Sequence, residues 1–471
     1  MVMGSLRQEA EVAIIGAGPG GYVAALRAAD LGMEVVLIEE RPRLGGVCLL
    51  EGCIPSKTLI HAVELVQAAR SASTMGLTFK ELVLDPHQLR TWTESVVDAL
   101  ARGVDGLIAR RGVQVIHGRA RFTGEHGLAI EGSDVSAVDF RHCIVATGSH
   151  AQRIPAAQDL PVWSAADALE LREIPPRLLV VGGGFTGLEL GLVYAGLGSH
   201  VTLAEFFPAL LPGADADLVS ILVRSCEPRF EAIHVNSKVM RMQRAGDKLV
   251  VRIERDGKTL DEEVDQVLVA VGRTPNTDGL GLETIGLELD EAGRIPVDEE
   301  CRTAVPHIYA IGDVVPGPML AHKASREAKV AAEIIAEHPA AFDNRAIPAV
   351  VYTDPELAWV GLTEHEAREQ GVTLDIGRFP LSALGRARTL GRTEGMVKVL
   401  AEKETGLVVG VGMVGPHVSE FIAEGALAVE MGASLEDLMV TIHPHPTISE
   451  AIVEAAEAAA GAPTHLNPRG R

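Results

Sequence analysis

The chain has little aromatic surface. Phe, Trp and Tyr make up 4% of its 471 residues, so few rings are on offer to stack on the bases of a nucleic-acid single strand. It has no basic excess either: 42 Lys and Arg stand against 64 Asp and Glu, a formal net charge of −22. Such a charge repels nucleic acid and anionic membrane, and neither is expected as a partner. No apolar run approaches the roughly 20 residues that span a bilayer. The opening stretch MVMGSLRQEAE lacks the apolar core of a secretion signal. Cysteine is scarce and odd in number, at Cys48, Cys53, Cys143, Cys226 and Cys301, which argues against a secreted disulfide scaffold. A reducing, cytoplasmic setting is expected. There a close cysteine pair is redox-active or metal-binding more often than structural. Low-complexity linkers are missing as well.

What is present is length, apolar mass and glycine. At roughly 150 residues per domain the chain suggests about three domains, and 47% hydrophobic residues give room for large cores. Two segments repeat one pattern. AIIGAGPGGYVAALRAADLGMEVVLIEE from Ala13 and LLVVGGGFTGLELGLVYAGLGSHVTLAEF from Leu178 both read as strand, glycine turn, helix, strand. Glu39 follows Gly16 by 23 residues, and Glu205 follows Gly182 by the same 23. With 49 glycines in the chain a lone GxGxxG is weak, but here the strand, helix and acid stand in place. Two such units imply two doubly wound nucleotide-binding domains. In each, small residues (Gly16, Gly18, Gly21; Gly182, Gly184, Gly187) let the backbone approach a pyrophosphate at a helix N-terminus. The acid then accepts from the ribose hydroxyls. Glu205 would repel a 2′-phosphate, and Phe206 and Phe207 after it carry no charge, so the second site favours NAD over NADP. A third match, Gly410 to Gly415, runs into Pro416, which has no backbone donor, and reads as strand and turn.

Gly45 to Lys57 reads GGVCLLEGCIPSK, with Cys48 and Cys53 at an expected helix start. A helix N-terminus favours thiolate, and with one end loosened two cysteines at this spacing can reach disulfide distance. Two buried core cysteines would show the same spacing. A metal pair lacks a second Cys/His pair at ligand spacing. Downstream, Asp261 to Val271 reads as one apolar strand, and IYAIGDV near Ile308 as a buried strand ending at Asp313. From about Pro348 the texture changes to short strands with helices near Glu364–Glu369 and Ser419–Met431, and the tail from Pro463 reads as loop. Near the end, His443 and His445 lie in a proline-fixed HPHP segment, with Glu450 placed to orient a ring.

These motifs resemble those of the pyridine nucleotide–disulfide oxidoreductases, and within that family the branch that oxidises dihydrolipoamide. The likeness covers essentially the whole chain: GAGPGGY at Gly16, GGVCLLEGCIPSK, ATGS at Ala146, GGGFTGLELG at Gly182, AIGDV at Ala310, MLAHKA at Met319 and HPHPTISE at His443. It implies an α/β fold, with two doubly wound Rossmann-like nucleotide-binding domains plus a C-terminal α+β dimerisation domain. The implied divisions are an FAD-binding part over 1–150 with the redox pair, an NAD-binding domain over 151–277, a central second FAD-binding part over 278–347, and a dimerisation domain over 348–471. The implied cofactors are FAD and NAD. FAD would lie against Gly16, Gly18, Gly21, Glu39, Lys57, Gly118, Thr147, Gly148, Asp313 and Met319, Leu320, Ala321 and His322. NAD would lie against Gly182, Gly184, Gly187, Glu189, Glu205 and Gly272.

By the same resemblance, Cys48 is the interchange thiol, Cys53 the thiol facing the flavin, and Lys57 pairs with Glu189. His445 is the acid/base, oriented by Glu450 and placed across a two-fold interface. The implied reaction is oxidation of protein-bound dihydrolipoamide with reduction of NAD⁺, as the E3 component of 2-oxoacid dehydrogenase complexes. A dithiol attacks only as thiolate, so a base is needed, and His suits neutral pH. The alternatives are a paralogue acting on another lipoyl carrier, motivated by Val47, Leu50 and Thr186 where the family has other residues, and a non-catalytic FAD/NAD-binding scaffold. A mercuric reductase would carry a terminal Cys pair, and no Cys follows Cys301.

Overall fold

The computed structural model describes residues 6–467. Met1–Ser5, at the head of the opening stretch, and the last four residues of the tail lie outside the described residues. From Pro463 to Asn467 the tail is loop, as expected.

The first sheet is assembled from distant parts of the chain. Its parallel strands run in the order Gln114–His117, Val35–Glu39, Leu6–Ile15, Val135–Val145, Ile308–Ala310. An antiparallel meander, Arg119–Gly124 and Gly127–Glu131, extends it. Strands Val35–Glu39 and Ile308–Ala310 are buried at every residue, as the unbroken apolar runs of a covered parallel sheet require. Helices Pro19–Asp30 and Ala321–Ile335 pack on one face through Ala24, Ala25, Ala28, Ala328, Ala331 and Ala332. Side chains this small let the helices approach closely. The register aligns Ile15 with Ile38 and Val145, and Val145 with Ala310. Four strand ends therefore open onto one crevice, where ligands bind in open α/β sheets.

The second sheet is parallel throughout, in the order Ala232–His234, His200–Ala204, Arg177–Val181, Gln266–Val269. A three-stranded antiparallel unit, Ser237–Ala245, Lys248–Arg255 and Lys258–Val264, covers it. The segment expected as one strand from Asp261 to Val271 is two. Asp265 separates them: its N–H donates to the Arg177 carbonyl at 3.0 Å, and its carboxylate accepts from Arg177 N at 2.8 Å. The chain leaves the meander there and enters the parallel sheet.

Helix Phe185–Leu197 is apolar except for Glu189 and the exposed Thr186 in its first turn, and most of it is buried. A helix of that composition needs cover on every side. It receives the parallel sheet on one face and helix Cys53–Ser71 on another, where a Cβ on Gly196 would strike Val63. Gly32 and Gly198 follow the two Rossmann helices at φ +89° and +113°, the left-handed position that glycine takes without strain.

The third unit is a five-stranded antiparallel sheet, ordered Ala349–Val351, Glu356–Gly361, Val408–Gly415, Met396–Glu402, Leu374–Pro380. The glycine match at Gly410 lies in its strand Val408–Gly415, as expected. Helices Glu364–Glu369 and Val418–Met431 fall where the sequence places them. Helices Gly385–Leu390, Leu435–Val440 and Glu450–Ala459 are not foreseen from the sequence. Two of them are only six residues long, too short to display a helical period.

One lysine joins this sheet to the second. Lys398 is 0% exposed, with its ammonium 2.6 Å from Asp215, 2.7 Å from Asp217 and 2.8 Å from Glu364. These carboxylates have the look of a metal triad but surround an ammonium. Burial would raise the Asp217 pKa, yet the hydrogen bonds from Lys398 and Arg378 carry it below the ordinary value. Its stabilising contribution is therefore complete above pH ~4 and is lost as the pH falls through the lowered value. Lys398→Met leaves three acids around an apolar chain. We expect it to cost about 3–5 kcal/mol, read as a lower urea midpoint at pH 7. An unchanged midpoint would show the cage to be unimportant.

Candidate active site

The two glycine turns build the same cradle. Gly16 and Gly182 have φ of +98° and +110°, and a Cβ on either would strike the carbonyl oxygen of Ala146 or Ala270 on the neighbouring strand end. A Cβ on Gly21 or Gly187 would strike the carbonyl oxygen of Gly16 or Gly182, so helix and turn could not close. The middle glycines differ. A Cβ on Gly184 would meet nothing within 4 Å, and one on Gly18 only Gly46 at 3.9 Å. Protein packing does not demand glycine there, but close approach of a pyrophosphate does. Neither helix has a side-chain cap among the described residues, which leaves its first N–H groups for an anion.

The acids are set alike. Glu39 accepts from Ala17 N at 2.7 Å and Arg41 N at 2.9 Å. Glu205 accepts from Gly183 N at 2.5 Å and Phe207 N at 2.7 Å. Both are buried, and these bonds aim each carboxylate at the cradle's edge. Gly118 is fixed beside the first by its N–H to Glu39 O, 2.9 Å. Gly272, at φ +124°, follows the strand that borders the second.

The first crevice continues toward Asp313, which accepts from Ser149 Oγ at 2.5 Å. Thr147 and Gly148 are tied to Asn276: Thr147 Oγ1 donates to Asn276 O at 2.7 Å, and Asn276 N donates to Gly148 O at 2.9 Å. Met319 and Leu320 lead into helix Ala321–Ile335. His322 near its start bonds Pro348 O at 2.8 Å through its ring.

Three further groups shape this crevice without announcing themselves in sequence. Arg273 donates to Ser149 Oγ at 2.7 Å and lies 4.0 Å from Asp313. Lys323 and Glu327 form a buried pair at 2.7 Å that grips Gly312: Glu327 accepts its N–H at 2.7 Å, and Lys323 donates to its carbonyl at 3.3 Å. Their i, i+4 spacing among alanines is the one signal the sequence offers for them. For Arg273 the signal is its position directly after a buried strand and Val-Gly.

The cysteines sit where two helices meet. Cys48 lies in Gly46–Glu51, Cys53 opens Cys53–Ser71, and Gly52 breaks the chain between them. Their Sγ atoms are 2.7 Å apart. The hydrogen bond from Cys48, helped by the Lys57 ammonium against burial, lowers the Cys53 thiol to about 7. The same bond, burial and the Cys53 charge push Cys48 up. In the reduced pair negative charge is therefore favoured on Cys53 over Cys48. Lys57, one helical turn on, reaches across to Glu189 at 2.8 Å, so the lone acid of the buried helix is paired.

His445 and Glu450 stand apart from this group. His445 Nδ1 is 2.8 Å from Glu450, which also accepts from Thr447 N at 2.8 Å. Burial would raise Glu450, but these bonds lower it, and a carboxylate so held orients the imidazole. The His445 side chain is 79% exposed. No hydrogen bond or ion pair links it to either cysteine among the described residues. Exposed Leu427, Met431, Val440 and Ile442 lie in the segments leading to it.

Residues 10–328 match the profile of the pyridine nucleotide-disulphide oxidoreductases, and residues 347–456 that family's dimerisation domain. The chain belongs to the pyridine nucleotide-disulphide oxidoreductase family. It is 46% identical to a dihydrolipoyl dehydrogenase of Haloferax volcanii, covering 99% of each chain. It is also 43% identical to one of Geobacillus stearothermophilus, again over 99% of each. Among solved structures, LpdA from Mycobacterium tuberculosis superposes with a TM-score of 0.87 at 30% identity, over 96% of this chain and 99% of that one. As a family member the chain is a homodimeric flavoprotein with two Rossmann-like domains and a dimerisation domain, and its cofactors are FAD and NAD. No helix among the described residues is long and apolar enough to cross a membrane.

The two cradles fit these cofactors by the chemistry of their donors. The purified protein is therefore expected to be yellow, with one FAD per chain by absorbance after denaturation. A folded, colourless preparation that takes up no added FAD would contradict the first cradle.

Proposed function

We propose that this chain oxidises protein-bound dihydrolipoamide to lipoamide, with reduction of NAD⁺ to NADH, as the E3 component of 2-oxoacid dehydrogenase complexes. The observation that carries this reading is the Cys48–Cys53 pair, 2.7 Å apart with Cys53 favoured as thiolate, in a chain whose full-length relatives are named dihydrolipoyl dehydrogenases.

The roles are those the family resemblance implies for these residues. His445, held by Glu450 on an exposed face, takes the proton of one substrate thiol once a second copy brings it to the site. The resulting thiolate attacks Cys48 Sγ, the Cys48–Cys53 bond breaks, and Cys53 leaves as thiolate. The second substrate thiol attacks the substrate's other sulfur in the mixed disulfide, closes the lipoamide ring and passes its proton to Cys48, which is released as the thiol. The dithiol has lost two electrons, and the cysteine pair has gained them. FAD in the first cradle would supply an acceptor for that electron pair beside Cys53, and NAD⁺ in the second would supply the final hydride acceptor. Lys57, itself paired with Glu189, favours the charge on Cys53, while Asp313 and Glu39 would hold the FAD chain and Glu205 the NAD ribose.

A second carrier remains in play because Val47 and Leu50 flank Cys48 with aliphatic groups. The test is turnover on isolated lipoyl domains. The E3 reading expects high kcat/KM on the reduced lipoyl domain of a 2-oxoacid dehydrogenase E2. Turnover at least tenfold better on a lipoyl domain from a different system would assign the chain to that carrier. Turnover on neither, with free dihydrolipoamide also inert, would refute the activity.

A further inference from the structure

Lys57 follows Cys53 by four residues on helix Cys53–Ser71, the spacing that puts two side chains on one face. Its ammonium has two partners among the described residues. One is Glu189 Oε2, at 2.8 Å. The other is the ring of Tyr352, whose centroid lies 4.5 Å from Nζ, within the range of a cation–π contact. Tyr352 also holds the acid, because its backbone N–H donates to Glu189 Oε1 over 2.9 Å. One residue thus touches both members of the pair. It comes from neither nucleotide-binding sheet: it directly follows strand Ala349–Val351 of the third.

The groups that act electrostatically on Cys53 are Cys48, Lys57 and Glu189, and the Cys53 charge is felt in turn by Arg273 and Tyr352. Lys57 favours the Cys53 thiolate and Glu189 opposes it, so the balance depends on where the ammonium is held. A lysine has four flexible carbons and one strong partner here. Without a second contact it can follow Glu189 or turn to water. Burial, together with the charges of Glu356, Glu189, Glu420 and Cys53, pushes the Tyr352 hydroxyl up. The ring therefore stays neutral and keeps its π face toward the cation.

We propose that Tyr352 is a positioning residue of the redox centre, its ring and backbone N–H together fixing the Lys57 ammonium and the Glu189 carboxylate beside Cys53. This rests on reading Cys48 and Cys53 as the redox pair, but not on the identity of the dithiol. Through Tyr352 the dimerisation domain sets how readily Cys53 carries charge.

The test uses the full-length, FAD-loaded protein in a Cys48→Ser background, where Cys53 is the remaining site thiol and no dithiol is added. The long-wavelength absorbance of a thiolate against oxidised flavin is titrated with pH. Adding Tyr352→Leu is expected to raise the midpoint by about 0.5–1 pH unit, a three- to tenfold gain in proton affinity. Adding Tyr352→Phe, which keeps ring and N–H, is expected to leave it within about 0.2 unit of the background. A Leu variant with an unshifted midpoint overturns the proposal, and so does a Phe variant that shifts as far as Leu. If the Leu variant does not retain FAD, Tyr352→Trp is read in its place. Its stronger cation-binding face should hold the midpoint at or below the background, and a rise overturns the proposal. If the substrate assignment is wrong, dihydrolipoamide turnover fails while this titration behaves as expected.

Discussion

His445→Gln is expected to lower kcat for dihydrolipoamide oxidation by about 10²–10⁴-fold, the usual worth of a positioned acid/base, while FAD content stays at one per chain. The imidazole is 79% exposed and has no polar link to the cysteines of its own chain among the described residues. Its partner carboxylate, Glu450, is spent on orienting it. The function proposed above has a second copy of the chain bring the thiol to this base, as the family resemblance implies. In a two-fold dimer both sites are then built the same way, each from two chains. Chains inactivated by Cys48→Ser and by His445→Gln should therefore complement each other. Each mixed dimer holds one intact site of two, and random reassembly makes half of the dimers mixed. Recovery of about a quarter of the wild-type activity is expected. Demonstrated heterodimers with no activity would mean that each site is built within one chain.

NAD should outrun NADP by at least about 10² in kcat/KM, because a like-charge contact at the ribose costs several kcal/mol. Glu205 is buried and fixed by two N–H groups, so it cannot swing away from a 2′-phosphate. The residues after it, Phe206 and Phe207, are 60% and 53% exposed rings that offer the phosphate no charge. Glu205→Gln keeps the shape and an acceptor but removes the charge. It should narrow the ratio at least tenfold, mostly by improving NADP. Equal kcat/KM for the two nucleotides in the wild-type chain would show the reading of Glu205 to be wrong.

Local backbone demands make both cradles legible in the sequence. A turn at φ +98° against a neighbouring carbonyl needs glycine at Gly16 whatever the rest of the chain does, and the acid 23 residues on must close the same crevice. Contacts between distant segments leave no such mark. Tyr352 is one tyrosine at the end of a three-residue strand, and its meeting with Lys57 depends on how three sheets pack. Lys398 in MVKVLAE is an anomaly, a charge within an apolar strand, but its acids lie some 180 residues upstream at Asp215 and Asp217 and nearer by at Glu364. Asp265 hides a sheet change inside an apolar run, because periodicity cannot tell one long strand from two short ones. His445 draws notice through the proline-fixed HPHP segment and Glu450, but its role comes from the likeness to the family. Nothing in HPHPTISE itself says that its ring faces outward.

In the proposed reaction electrons leave the substrate through the Cys48–Cys53 pair. The direct measurement is an anaerobic titration of the oxidised, FAD-loaded protein with dihydrolipoamide in the absence of NAD⁺, followed by denaturing alkylation and peptide mass analysis. The result expected is alkylation at Cys48 and Cys53 that rises with added dithiol from none, while the labelling of Cys143, Cys226 and Cys301 stays constant. Cys48 and Cys53 that are already alkylated before any dithiol is added, or that stay unlabelled while the flavin is reduced, would contradict it.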